Sequence, residues 1–200
     1  MTENPWLEDT DMTSRSVTLT PMLSSHRNEL VRAASDGELW NLWFTSVPGE
    51  KSIDDYIGFA LSEKAAGRSL PFVVRENDTG DIIGSTRFCN IENIHRRAEI
   101  GYTWYAKRSQ RTSVNSECKL SLLSYAFETR GAIAIEFRTH ASNTSSRDSI
   151  LRLGAKHDGI LRQHMLLADG SFRDTYVYSI LNSEWPAVKK SLEDKLRKWD

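Results

Sequence analysis

Cysteine is nearly absent from this 200-residue chain: Cys89 and Cys118 stand far apart, and no Cys/His group has ligand spacing. That speaks against a disulfide framework and against a structural zinc. No apolar run approaches the roughly 18 residues that a membrane-spanning helix needs, and no signal peptide is legible. The chain therefore reads as a reduced, cytoplasmic protein without a membrane partner. Charge of one sign is missing too: 26 basic and 27 acidic residues leave a net charge of −1, a field too weak to gather nucleic acid. The histidines at 26, 95, 140, 157 and 164 are scattered, so no metal is expected. Internal repeats and low-complexity stretches are lacking as well.

What is present is an ordinary globular composition, 39% hydrophobic and 26% charged, in a length that suits one domain. Residues 1–15 are polar and read as an arm anchored by Trp6, with the domain proper over 16–200. "SVTLTPM" alternates as a first strand broken at Pro21. "SSHRNELVRAASDGELWNLWF" has serine caps and helical apolar spacing, and "SIDDYIGFALSEKAAG" is a one-faced helix stopped by Gly67. "LPFVVREN" and "IIGSTRFCNI" flank the hairpin signal "DTGD", and "RRAEIGYTWYA" follows with strict alternation. Glu99, Gly101, Thr103 and Tyr105 are expected on one face of that strand, with Ile100, Tyr102 and Trp104 on the other.

"VNSECKLSLLSYAFETRG" is the strongest helix pattern, placing Cys118 toward the core and out of reach as a nucleophile. A strand "AIAIEFRTH", a capped helix "NTSSRDSILRLG", a hairpin of "KHDGILRQHMLL" and "SFRDTYVYSIL", and an amphipathic helix from Glu184 complete the chain. This order predicts an α+β fold: a mixed, mostly antiparallel central sheet flanked by helices, with one parallel step across the long central helix.

Chemistry concentrates around "SQRTSVNSECK", a polar loop leading into that central helix. A helix N-terminus gathers unpaired N–H groups and about half a positive charge, which suits a phosphate. Plain capping by Ser113 explains the same residues. The spacing resembles the pyrophosphate loop of the GNAT acetyltransferase superfamily, Gln/Arg-x-x-Gly-x-Gly/Ala. Gln110 and Arg111 fit, whereas Ser113 and Asn115 stand where small residues are usual. "LWFTSVP", "EIGYTWY", "NTSSRDSILRLGAKHDGILR" and "DGSFRDTYVYSI…EWPAVK" extend the likeness over nearly the whole chain. It is similar in particular to the RimJ/RimL-like branch, whose members acetylate N-terminal or other primary amines.

The resemblance implies a GNAT fold with a V-shaped splay between two parallel strands. Acetyl-CoA would be the acetyl donor, and the amine would attack it directly. Gln110, Arg111, Thr112, Ser113, Val114 and Asn115 would hold the pyrophosphate, largely through backbone N–H groups. The backbones of Tyr102, Thr103, Trp104 and Tyr105, with Asn143, would hold the pantetheine arm. Glu99 is then the candidate general base, and a solvated or arginine-paired strand carboxylate is the other reading. Asn143 is also a plain N-cap, and Ser146 is the candidate donor to the departing thiolate because that helix has no tyrosine. Trp40, Trp43 and Phe44 are candidates either for the amine pocket or for the core. The expected acceptor is a protein or peptide N-terminus. A small amine (aminoglycoside or polyamine) and a non-catalytic acyl-CoA-binding role are the alternatives, and a homodimer is left open.

Overall fold

A computed structural model describes residues 5–41, 47–167 and 169–199. Eight strands form one sheet in the order β1-β2-β3-β4-β5-β6-β8-β7. They are β1 (Met12–Thr13), β2 (Val17–Pro21), β3 (Leu70–Glu76), β4 (Ile82–Glu92), β5 (Arg97–Tyr105), β6 (Ala134–His140), β7 (Lys156–Leu166) and β8 (Phe172–Leu181). All neighbours are antiparallel except β5 and β6. The helices are α1 (Arg27–Ser35), α2 (Ile53–Ala65), α3 (Val114–Ser124), α4 (Thr144–Leu153) and α5 (Trp185–Leu196). This is the mixed α+β sheet with one parallel step that the sequence predicts. Among the described residues no helix is long and apolar enough to cross a membrane.

Local chemistry sets the element ends. Asp54 and Asp55 in the first turn of α2 and Lys64 in its last turn complement the helix dipole. Asn143 caps α4 by accepting from the Ser146 amide at 3.0 Å. The first helix is shorter than expected. It ends at Ser35, and Gly37 (φ +92°) and Glu38 (φ +48°) turn the chain away. The central helix ends differently: after Ser124 its last turn, Tyr125–Thr129, widens to a π-helix, and Gly131 (φ +62°) stops it.

Two neighbouring β4 residues show how the layers are arranged. Ser85 accepts from the Tyr56 hydroxyl of α2 (3.2 Å), while Thr86 shares a hydrogen bond with Thr103, to which Lys119 of α3 donates. Adjacent strand residues point to opposite faces, so α2 and α3 cover opposite sides of the sheet. Leu19, Phe72, Ile83, Phe88, Leu122 and Leu123 are fully buried, each contributing about 1.5–3 kcal/mol of apolar transfer. The arm before the sheet is tied down: Trp6 Nε1 donates to the Arg130 carbonyl (2.6 Å), and Arg130 Nε donates to the Trp6 carbonyl (2.5 Å).

Candidate functional site

Strands β5 and β6 pair only through Arg97–Ala134, Ala98–Ile135 and Glu99–Glu136. Both strands run on, to Tyr105 and His140, without further pairing to each other. The parallel pair therefore opens into a V at Glu99, and the inner edge of β5 beyond it pairs with no strand among the described residues. Unpaired backbone N–H and C=O groups need partners, and a ligand in the V would supply them.

The alternation expected along β5 holds only as far as Gly101. Arg87 of β4 lies opposite Gly101 and Ser85 opposite Trp104, so three steps on β5 match two on β4. This is a β-bulge, and Tyr102 occupies it with φ +51°. The extra residue moves Tyr102 and Trp104 to the α2 face, where they meet Arg87 and Tyr56. It moves Thr103 and Tyr105 to the α3 face, where they meet Lys119 and Asn115. Thr103 and Tyr105 therefore do not share a face with Glu99 and Gly101, contrary to the period-two reading.

At the start of α3 the structure explains the missing glycine. Ser113 has φ −66° and ψ −20°, an ordinary right-handed conformation open to any residue. The left-handed position is Arg111, φ +62°. Ser113 does not cap the helix either: its hydroxyl donates to Glu117 Oε1 at 2.7 Å. Thr112 takes the capping role, its hydroxyl accepting from the Val114 amide (3.3 Å) and donating to the Ser109 carbonyl (2.7 Å). Gln110 spends its side chain on the Tyr105 carbonyl (3.0 Å), fixing the loop to the end of β5. Asn115 accepts from the Tyr105 hydroxyl (3.2 Å) and donates to Ser149 of α4 (3.3 Å), which braces both arms of the V. The first amides of a helix lack intrahelical acceptors, and such groups suit an anion; at α3 the Val114 amide is taken by Thr112.

Glu99 sits at the vertex, buried, and accepts from Asn90 Nδ2 at 2.7 Å, with Arg138 Nε 3.6 Å away. Burial pushes its carboxyl above the usual range, with Glu136 adding to the rise and Arg138 and Asn90 opposing it. Of the two sequence readings of this residue, the arginine-paired carboxylate is what the geometry shows, and the carboxyl is buried rather than solvated. Asn143 and half-buried Ser146 begin α4, directly after β6; Ser146 lies one turn before Ser149, on the same face.

Trp40 is not brought to this cluster. It lines a cleft of about 420 Å³ with Val31, Ser35 and residues 49–52, which contains none of the residues around Glu99. Trp43 and Phe44 lie outside the described residues. Two groups near the V escape a sequence reading. Lys119 is 7% exposed and its amine, lowered to about 8 by burial, donates to Thr103 at the bulge (2.9 Å). Arg87 is 1% exposed, on the α2 face. The one available signal was a charge inside an otherwise apolar helix face or strand.

Known proteins fit this geometry. A family model described as "Acetyltransferase (GNAT) domain" matches residues 16–156. An uncharacterized N-acetyltransferase, YoaA, from Bacillus subtilis (strain 168) is 33% identical over 114 residues, 57% of this chain and 63% of that protein. The putative ribosomal N-acetyltransferase YdaF of the same organism is 30% identical over 110 residues, 55% of this chain and 59% of its own. The chain thus spans less than two thirds of the length of these two relatives. A GCN5-related N-acetyltransferase from Brucella melitensis superposes with TM-score 0.85 at 28% identity, over 95% of this chain and 86% of that one. Mycobacterium smegmatis RimJ, solved in complex with CoA-disulfide, shares the fold at TM-score 0.76 and 22% identity, over 94% of each chain.

Proposed function

The chain belongs to the GNAT acetyltransferase family, and on that premise we propose that it transfers the acetyl group of acetyl-CoA to a primary amine, a protein or peptide N-terminus. One observation carries this reading. The strand pairing ends at Glu99, so a buried carboxylate of raised basicity stands where the V opens.

The residues present fit acetyl-CoA. The V leaves the β5 backbone edge unpaired, and residues 110–115 lead into a helix N-terminus through a loop that needs no glycine at Ser113. Acetyl-CoA, when bound, supplies an activated thioester. The α3 amides bind the pyrophosphate, and the backbone from Tyr102 to Tyr105, with Asn143, aligns the pantetheine arm. Glu99 takes the proton of the incoming ammonium, directly or through a water. Ser146 donates a hydrogen bond to the sulfur as charge develops there. The carboxylate is held by Asn90 and Arg138, which fix its orientation while leaving one charge to receive a proton. The relative named as a putative ribosomal N-acetyltransferase supports a protein acceptor here.

The test has two parts. Acetyl-CoA at 100 times its dissociation constant is expected to stabilise the fold by about 2.7 kcal/mol, or roughly 5–10 °C in melting temperature for this length. CoA release with a panel of unblocked peptides is expected, and acetyl-blocked peptides are expected to be inert. A melting curve unmoved by millimolar acetyl-CoA would overturn the assignment.

A further inference from the structure

On the α2 face, one strand over from the proposed base, Arg87 is the largest fully buried side chain among the described residues, with 1% of its surface exposed. Its guanidinium lies over the ring of Tyr102 at 4.0 Å and that of Tyr56 at 4.8 Å. Among the described residues none of its three nitrogens has a hydrogen-bond partner. Ring contacts do not replace those bonds. The five N–H donors of a guanidinium lie in its plane and point outward from its edge, whereas the rings lie over its faces. A buried cation with an unused donor edge is strongly disfavoured unless something completes it.

The neighbouring carboxylates do not complete it. Glu99 is held by Asn90 and Arg138, Glu136 by Arg97 and Arg138, and Glu63 of α2 is bound twice by Arg68. Arg173, which also faces Glu99, donates to Thr175. The face therefore carries more positive than negative charge, and Arg87 is the arginine of this group whose donors have no partner among the described residues. Its position matters as much as its charge. Arg87 pairs in register with Gly101, the residue before the bulge, and neighbouring strands lie about 4.8 Å apart. The Tyr102 ring lies against the guanidinium, and Tyr102 itself, the bulge residue of β5, is 42% exposed. Rotamer changes of such a ring are fast.

From this we infer that Arg87 binds a carboxylate of the acceptor, so that the preferred substrate is an α-amine whose own or next residue carries an acidic side chain. The fork of the guanidinium takes a carboxylate through two parallel hydrogen bonds, which fixes the acceptor's orientation as well as its charge. Because Arg87 lies one strand from the vertex, the carboxylate and the reacting nitrogen are separated by only a few bonds. A free acidic amino acid offers the same chemistry as an acidic peptide terminus. This inference rests on the acetyl-transfer reading of the same site.

The experiment compares kcat/KM for peptide pairs that differ only in Asp against Asn, or Glu against Gln, at the first two positions, with free aspartate as a further acceptor. Wild type is expected to prefer the acidic member by about 10- to 100-fold, the usual effect of one charged hydrogen-bonded contact. Arg87→Gln is expected to bring the two members within about twofold of each other. Peptide reactivity without aspartate reactivity identifies the terminus as the source, and the reverse identifies the free amino acid. Equal rates on both members in wild type, or a preference that survives in Arg87→Gln, would overturn the inference. If no amine reacts, the acetyl-transfer reading fails separately. Glutarate, as a bare dicarboxylate probe, then decides whether Arg87 binds an anion. Stabilisation of wild type but not of Arg87→Gln supports it, and no stabilisation of wild type overturns it.

Discussion

Ser113 donates its hydroxyl to Glu117 at 2.7 Å, and the same carboxylate accepts from the Ser14 hydroxyl (3.0 Å), the Ser16 hydroxyl (2.8 Å) and the Ser16 amide (2.8 Å). One side chain of α3 thus ties the loop at the helix start to the segment that enters β2. Burial alone would raise the Glu117 carboxyl, but the bonds from Ser16, Ser113 and Ser14 outweigh it and hold it below its ordinary value. A depressed carboxylate stabilises the fold above its unfolded pKa and loses that contribution as pH falls through the folded value. Glu117→Ala is expected to lower stability by about 2–4 kcal/mol at pH 7, since buried donors are left unsatisfied. The difference from wild type should shrink on acidification below pH 4. Thermal melts of both proteins from pH 3 to 7 check this.

Ser113→Gly removes one of those donors and gains nothing in backbone freedom, because φ at this position is already −66°. Acetyl-CoA affinity is expected to stay within about threefold of wild type, while stability falls by about 1 kcal/mol. Calorimetric titration with acetyl-CoA and a melting curve of the same sample measure both quantities.

Lys119 acts with the same sign but in an alkaline window. Its amine falls from an ordinary 10.5 to about 8 in the fold because burial disfavours the charge. Between those values the unfolded chain holds the extra proton, so this group makes stability rise with pH. Lys119→Met is expected to be more stable than wild type at pH 7, by on the order of 1–3 kcal/mol after the bond to Thr103 is lost. The two proteins should converge toward pH 10. Denaturant melts at both pH values are the check.

Most of the fold was legible because apolar period and turn residues agree along the chain. Gly67 and Gly131 end their helices where the sequence places the stops, and the β3–β4 hairpin turns at its Asp-Thr-Gly-Asp signal. The bulge was not legible, because a tyrosine takes the left-handed conformation at 102 and no glycine marks it. One inserted residue then reassigns every side chain beyond it, so that Thr103 and Tyr105 exchanged faces with Tyr102 and Trp104. Ser113 misled for the converse reason: the likeness called for glycine, while the backbone places its strained residue at Arg111. Arg87 was invisible because β4 is buried on both faces from Ile82 to Cys89, so no alternation separates an inward arginine from an outward one.

Ser146→Ala separates binding from turnover. A donor to the sulfur matters as the thiolate forms and little before, so kcat is expected to fall about 10- to 100-fold with the acetyl-CoA dissociation constant nearly unchanged. Steady-state kinetics and an equilibrium titration distinguish this from a loss of binding. Unchanged kcat removes Ser146 from the reaction.

The initial rate of acetyl transfer to a peptide α-amine, compared between wild type and Glu99→Gln at pH 7 and pH 9, tests the account at its centre. An α-amine has a pKa of about 7.8 and a lysine side chain about 10.4, so deprotonation at pH 7 costs about 1 and about 4.6 kcal/mol respectively. The buried carboxylate of Glu99, raised above its usual range, suits the easier proton. Wild type is expected to acetylate the α-amine and spare internal lysines. Glu99→Gln should be slower by about 100-fold at pH 7, the scale of general-base catalysis, and recover part of that loss at pH 9, where the amine is already neutral. A variant as fast as wild type at pH 7, or transfer confined to lysine side chains, would contradict the account.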